Sequence, residues 1–107
     1  MIYIVKARVR LDLKKHWRYI ARDNVDSADR LLAAAEETFA FIAANPDLGS
    51  QRSFRKLVGV RSRAIIGFGN YLVFYRPRGD QVVFLRVMHG MRDLPRFFSP
   101  RTLPPSP

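Results

Sequence analysis

The chain has 107 residues, no cysteine, and 19 Lys and Arg residues against 9 Asp and Glu residues, which gives a formal net charge of +10. This length predicts a single domain with one core, and the absence of cysteine excludes disulfides and cysteine-ligated metals. No stretch approaches the roughly 20 apolar residues of a membrane span, and the N-terminus lacks the apolar core of a signal peptide. We therefore expect a small, basic, cytoplasmic protein that does not interact with a membrane.

The positive charge is concentrated in the second half of the sequence. Residues 1–50 contain 8 basic and 7 acidic residues, whereas residues 51–107 contain 11 basic and 2 acidic residues, a net charge of +9. A field of this sign attracts polyanions or acidic proteins. The alternative is a generally basic protein whose charge serves no specific partner.

The first half predicts a strand followed by two helices. Residues 2–9 are rich in β-branched side chains and predict a strand. A helix is expected from about Asp12, which can cap its N-terminus. A longer helix is expected to follow, with Asp26 as its N-cap, and to end at Asn45, before Pro46. The short connection predicts an antiparallel helical hairpin. The apolar stripe of the first helix comprises Leu13, Trp17, Ile20 and Ala21.

The second half predicts strands joined by tight turns. Residues 46–59 read as a loop that can contain one short turn of helix or strand, and residues 60–68, 71–76 and 81–89 predict an antiparallel meander. The fold class is therefore α+β in the order β-α-α-β-β-β, with the N-terminal helical hairpin packed on one face of a small antiparallel sheet. The domain is expected to span residues 1–98. Residues 99–107 are proline-rich and are expected to form a flexible C-terminal tail.

Arginines within the strands are the first candidates for a binding site. Arg61 and Arg63 are two residues apart and share a face of their strand, Arg76 ends the next strand, and Arg86 lies in the last one. A concave basic surface opposite the helices, suited to phosphates or carboxylates, would combine them with Arg52, Arg55 and Lys56. The alternative is a solvated outer face on which arginine stems cover apolar strand surface.

His89 is the candidate general acid or base, because imidazole titrates near neutral pH. The alternative, for His89 and for His16, is a structural hydrogen-bonding role. Tyr75 and Phe97 are candidates for stacking on bases, although most aromatic side chains of so small a protein must build its core. Two separated histidines make a poor metal set, and no glycine-rich phosphate loop is present. No metal and no cofactor are expected.

Three segments occur in a familiar order: residues 17–24 (WRYIARDN), 69–76 (GNYLVFYR) and 85–93 (LRVMHGMRD), with PDLG at 46–49 and GVR at 59–61 between them. In this order they resemble the ParE/RelE superfamily of type II toxin–antitoxin toxins, and most closely its ParE branch, which includes plasmid stabilisation proteins. The resemblance covers residues 2–98. The tail after Phe98 lies outside it.

The resemblance implies the same α+β fold and a cytoplasmic bacterial toxin that a cognate acidic antitoxin neutralises in a hetero-oligomeric complex. Toxins of the ParE branch inhibit DNA gyrase by stabilising its cleaved DNA complex and are not known to be enzymes. The residues expected to bind the target or the antitoxin are Arg61, Arg63, Arg76, Arg86, His89, Arg92, Phe97 and Phe98.

Two alternatives stay open. RelE-like toxins cut mRNA on the ribosome without a metal, and the positions that match their cationic and imidazole groups are Lys56, Arg61, Arg76 and His89. The C-terminal tyrosine usual in that branch is absent here, and the phenylalanines at 97 and 98 can stack on a base but cannot move a proton. The other alternative is a degenerate toxin that only binds its antitoxin.

Overall fold

The structure, a computed structural model, describes residues 2–54 and 57–94. Seven elements follow one another in these ranges. They are β1 (Tyr3–Val5), α1 (Ala7–Ala21), α2 (Val25–Ala44), β2 (Ser50–Phe54), β3 (Leu57–Ile65), β4 (Phe68–Arg78) and β5 (Gln81–His89). The strands form one five-stranded sheet in the order β1-β5-β4-β3-β2, and the helical hairpin packs on one of its faces. The predicted α+β class is confirmed.

Two details of the sheet differ from the prediction. β1 pairs with β5 in parallel, with Tyr3 opposite Val82, so the sheet is mixed, although its other three pairings are antiparallel. A fifth strand, β2, occupies part of the segment interpreted as a loop and pairs with β3 at the far edge. Its sequence, SQRSF, carries no apolar alternation to mark it as a strand.

The helix boundaries also shift. α1 begins at Ala7, so residues 7–9 are helical and the predicted first strand was too long. Val9 is fully buried because it starts the inward face of α1. The N-cap of α2 is Asn24, whose side-chain oxygen accepts the N–H of Ser27 at 3.0 Å, and the prediction of Asp26 for this role was wrong.

The main core lies between the hairpin and the sheet. Leu31, Phe39 and Ile42 of α2 pack against Tyr75 and other side chains on the near face of the sheet. The rings of Phe39 and Phe84 lie 4.5 Å apart between their centroids. A smaller cluster of Val60, Phe74 and Met88 lies apart from it, on the opposite face of the sheet. A side chain of β3 or β4 therefore lies beneath the helices on one face of the sheet and away from them on the other.

Neither helix of the described part of the chain is long and apolar enough to cross a membrane. Residues 95–98 of the expected domain and the expected tail at 99–107 lie outside the described residues.

Candidate functional site

Helix α1 covers the part of β5 that the short strand β1 leaves without a partner. β1 pairs only with residues 82–84 of β5. Beyond them, Asp12 Oδ2 accepts the backbone N–H of Val87 at 2.9 Å, and His16 Nε2 lies 2.8 Å from the carbonyl oxygen of Val87. Two side chains one helical turn apart thus satisfy both backbone groups of one strand residue.

Asp12 also holds Arg86. The guanidinium donates from Nε to Asp12 Oδ2 at 2.9 Å and from Nη2 to Oδ1 at 3.2 Å, a bidentate pair. Asp12 as a whole is 5 % exposed. Asp12 was predicted as the N-cap of α1, which was wrong, because the helix begins five residues earlier and Asp12 faces the sheet. Arg86, a predicted contact for the target or the antitoxin, thereby has a structural partner of its own.

Three rings follow one another from α1 to the end of β5. His16 and Tyr71 meet edge to face with centroids 5.0 Å apart, and Tyr71 and His89 do so at 4.9 Å. Burial lowers the pKa of His16, while its hydrogen bond to Val87 and the nearby Asp93 and Asp12 oppose that shift and Arg92 adds to it. Because Nε2 must donate to a carbonyl, the neutral ring carries its proton there.

His89 organises the turn that follows β5. Its Nδ1 accepts the backbone N–H groups of Met91 at 3.2 Å and Arg92 at 3.1 Å, while Asp93 Oδ2 accepts the N–H of His89 at 2.7 Å. Burial, and then the charge of Arg92, lowers the pKa of His89, while Asp93 opposes the shift. An acceptor role at Nδ1 also requires the neutral ring, so the turn geometry favours an uncharged His89.

A basic cleft of about 420 Å³ opens between α1 and this turn. It is lined by Lys15, His16, Arg18, Tyr19, Arg22, Arg92 and Asp93 and is called the α1 cleft below. The guanidinium carbon of Arg92 lies 3.7 Å from the centroid of the Tyr19 ring, and its Nη2 donates to the Tyr71 hydroxyl at 3.3 Å. Arg22 approaches the same Tyr19 ring at 5.8 Å. The cleft is suited to binding anions.

Arg61 and Arg63 lie elsewhere, on the face beneath the helices. Arg61 is in register with Tyr75 and Arg63 with Val73, and cross-strand partners share a face of the sheet. Arg61 donates to the carbonyl oxygen of Gly49 at 2.8 Å and to that of Asp47 at 3.2 Å. The expectation that these two arginines belong to a basic surface opposite the helices was therefore wrong.

Tyr75 ties the same loop to the sheet. Its hydroxyl donates to the carbonyl oxygen of Pro46 at 2.7 Å and accepts the N–H of Gly49 at 2.9 Å, and burial raises its pKa. The ring itself is fully buried. Stacking on a base, one of the two roles considered for Tyr75, is incompatible with this position.

Arg76 and Arg52 belong to the opposite face. Arg76 follows Tyr75 in β4, and side chains alternate between the two faces of a strand. Arg52 donates to the Ser62 hydroxyl at 2.7 Å, and its guanidinium carbon lies 5.9 Å from the centroid of the Phe74 ring. Lys56, Phe97 and Phe98 lie outside the described residues, as does Arg55.

The structure thus divides the predicted site residues into three groups. Arg86, His89 and Arg92 lie at the α1 end of β5, Arg61 and Arg63 hold the 46–49 loop, and Arg76 lies on the far face. The sequence interpretation did not include the basic side of α1 among the candidate sites. Seven of the eight basic residues in the first half of the chain fall within residues 6–22, whereas six of the seven acidic residues of that half come later. The net charge of residues 1–50 therefore hides a basic first helix.

Within residues 2–54 and 57–94, no group of three His, Asp or Glu side chains could hold a metal ion. No curated protein matches the sequence significantly. Among solved structures, the chain is similar to one described as the chromosomal ParDE TA system from P. aeruginosa, with 17 % identity, a TM-score of 0.67, and coverage of 83 % of this chain and 95 % of that chain. At this identity the likeness concerns the fold.

A family model described as the ParE toxin of type II toxin-antitoxin system, parDE, matches residues 3–94. The match spans both helices and all five strands, including the α1 cleft. The chain therefore belongs to the ParE toxin family of type II toxin–antitoxin systems.

Proposed function

We propose that this toxin inhibits DNA gyrase by stabilising its cleaved DNA complex, and that a cognate acidic antitoxin neutralises it in a cytoplasmic hetero-oligomer. The observation that carries the proposal is the match of the ParE toxin family to residues 3–94. The net charge of +9 in residues 51–107 supports an acidic partner, because opposite charges accelerate encounter and fix orientation.

The placement of the RelE-like set supports a toxin that is not itself a nuclease. Arg61 is committed to two backbone carbonyls beneath the helices, and Arg76 lies on the other face. Arg61 lies opposite Tyr75 of β4, whereas His89 lies opposite Tyr71, four residues earlier on the same strand. Arg61 and His89 are therefore separated along the length of β4. Groups on opposite faces and at separate register positions do not converge on one phosphodiester, whereas a nuclease site needs its cations and its general base in contact with the same phosphate.

The contacts to gyrase are proposed to come from the segment after β5 together with the cations beside it. Arg92 is the best placed of the predicted residues, since its guanidinium lies on the Tyr19 ring at the α1 cleft. Arg86 ties β5, the strand that leads into this segment, to α1 through Asp12. Phe97 and Phe98 remain predicted contacts.

The test is a supercoiling and cleavage assay with purified gyrase, plasmid DNA and the purified toxin. We expect linear, gyrase-linked DNA to accumulate with toxin concentration, and addition of the antitoxin to abolish it. Expression in bacteria should induce a DNA-damage response before translation stops. The proposal fails if the chain is toxic but gyrase retains normal activity and transcripts are cut at codon-spaced positions.

A chain that forms a tight antitoxin complex but neither inhibits growth nor affects gyrase would be a degenerate toxin. That outcome contradicts the gyrase proposal and leaves the antitoxin proposal intact. The two parts are therefore tested separately.

A further inference from the structure

The α1 cleft combines four cations that form no ion pair among the described residues with an aromatic ring, Tyr19, that positions two of them. We propose that it is a binding site for the phosphodiester backbone of DNA. The choice of DNA rests on the proposed function, because gyrase presents cleaved DNA to its inhibitor. The anion chemistry of the cleft rests on the structure alone.

The first argument is that the cations of the cleft outnumber the carboxylates near them. Lys15, Arg18, Arg22 and Arg92 all line the cleft. The ion pairs among the described residues are Arg8–Asp12 and Arg86–Asp12, and neither of them uses a cation of this set. Asp93 lies 3.9 Å from Nε2 of His16, whose ring is neutral. The lining contains one carboxylate, Asp93, so the four cations outnumber the anionic groups of the cleft. The cleft therefore has a strong positive potential, which an anion would relieve.

The second argument is that two of the cations are held in place. The ring of Tyr19, a residue of α1, faces the turn after β5. The guanidinium carbon of Arg92 lies 3.7 Å from the ring centroid, and that of Arg22 lies 5.8 Å from it. Arg92 is fixed further by the hydroxyl of Tyr71. Two guanidinium groups that would otherwise repel each other are thus drawn to one ring. Fixing them before binding reduces the entropy lost when a ligand arrives.

The third argument is the shape of the cationic set. Lys15, Arg18 and Arg22 follow one another at i, i+3 and i+7, so they form a row about 10 Å long on one side of α1. A backbone with phosphates repeated along a strand can occupy such a row, whereas a single free phosphate would meet only one or two of these side chains. Guanidinium groups also suit phosphate oxygens because they donate in a planar fork.

The experiment measures anisotropy of a short fluorescein-labelled DNA duplex with the whole chain over a range of salt concentrations. The test variant is Arg18→Gln with Arg22→Gln. The matched control is Arg10→Gln with Lys14→Gln, which removes the same charge from the same helix but lines a different groove, beside Trp17 and Leu32. We expect the test pair to weaken DNA binding about tenfold more than the control and to reduce the salt slope by about 2.

A variant that leaves the net charge unchanged distinguishes binding at a preorganised site from nonspecific electrostatic attraction. Tyr19→Ala removes the ring that positions Arg92 and Arg22 and leaves the net charge unchanged, whereas Tyr19→Phe keeps the ring. Tyr19 is half exposed, so both variants should fold, which circular dichroism checks. We expect Tyr19→Ala to weaken duplex binding severalfold and Tyr19→Phe to retain it.

Equal losses in the Arg18/Arg22 and Arg10/Lys14 pairs would overturn the proposal, since they would indicate nonspecific attraction by a basic protein. So would tight, cleft-dependent binding of an acidic peptide with no cleft-dependent binding of the duplex. Because the assay contains no gyrase, it can fail while the toxin still poisons gyrase. Conversely, the cleft can bind DNA in a chain that leaves gyrase untouched, so the two proposals fail independently.

Discussion

Asp12 and His16 lie one turn apart on α1 and bind the two backbone groups of the same residue, Val87. Asp12 additionally forms a bidentate pair with Arg86. The inward face of α1 therefore contains two polar side chains where an amphipathic helix would place apolar ones. These hydrogen bonds fix the position of α1 along β5, because a shift of the helix would separate Asp12 and His16 from the backbone groups of Val87.

Removing the Asp12 carboxylate should destabilise the fold. Asp12→Ala removes the acceptor of the buried Val87 N–H and the carboxylate that pairs with Arg86, so we expect the free energy of unfolding to fall by about 2–3 kcal/mol. Urea denaturation measures it. Glu37→Ala on the exposed side of α2 is the control and should change stability by less than about 0.5 kcal/mol. A similar, small effect for both variants would contradict the role given to Asp12.

Stability should fall as the pH is lowered through the histidine range. Burial lowers the pKa of His16 below its ordinary value of 6.5, so below that value the unfolded chain binds more protons than the folded one. Its contribution is fully present above pH 6.5 and is lost as the pH falls towards the pKa of the folded state. His89 adds in the same direction.

Urea midpoints measured between neutral and acidic pH test this prediction. His16→Gln cannot titrate, yet its amide can still donate to the carbonyl oxygen of Val87. We expect this variant to lose much of the pH dependence and His89 to account for the remainder. An unchanged dependence in His16→Gln would exclude His16 as its source.

Gly49 should not tolerate a side chain. A Cβ at this position would overlap the Tyr75 hydroxyl and ring, which are fixed by Pro46 and by Gly49 itself. We expect Gly49→Ala to lower the free energy of unfolding by about 1–3 kcal/mol, the range for overpacking. Gly69→Ala is the matched control, because a Cβ there meets nothing within 4 Å. Thermal melts of the two variants should differ clearly, and coincident melts would contradict the packing argument.

Arg92 should matter for gyrase inhibition more than other exposed arginines. Arg92→Gln removes the cation that lies on Tyr19 and leaves the His89 turn with its backbone hydrogen bonds. We expect about tenfold more toxin to be needed for the same amount of cleaved DNA, as for the loss of one charged contact. Arg78→Gln, at the exposed end of β4, is the control and should match the parent chain.

The sequence predicts well whatever depends on local periodicity. The apolar spacing that runs from Ala28 to Ile42 predicts α2 within two residues at each end, and residues 81–89 match β5. It predicts poorly what depends on distant partners. Nothing in the tripeptide Tyr3–Val5 indicates that it pairs in parallel with a strand about 80 residues later, because strand patterns specify faces and not neighbours.

The same limit applies to the candidate site. Counting strand residues places Arg61 and Arg63 on one face but does not say which face the helices cover. Arg92 and Tyr19 are 73 positions apart, so their contact has no local signal. A finer division of charge would have separated the basic first helix from the acidic second one. That division was available from the sequence.

The parallel pairing of β1 with β5 has a consequence for the order in which the toxin can be completed during synthesis. β1 is made first, yet its partner and the residue that Asp12 and His16 bind belong to the last strand. A nascent chain that stops before residue 81 has no strand to pair with β1, and its first helix has no backbone to bind. The cleft is also incomplete until Arg92 has been added to the chain. Translation must therefore pass the whole meander before β1 and α1 can dock on β5 and the α1 cleft can form.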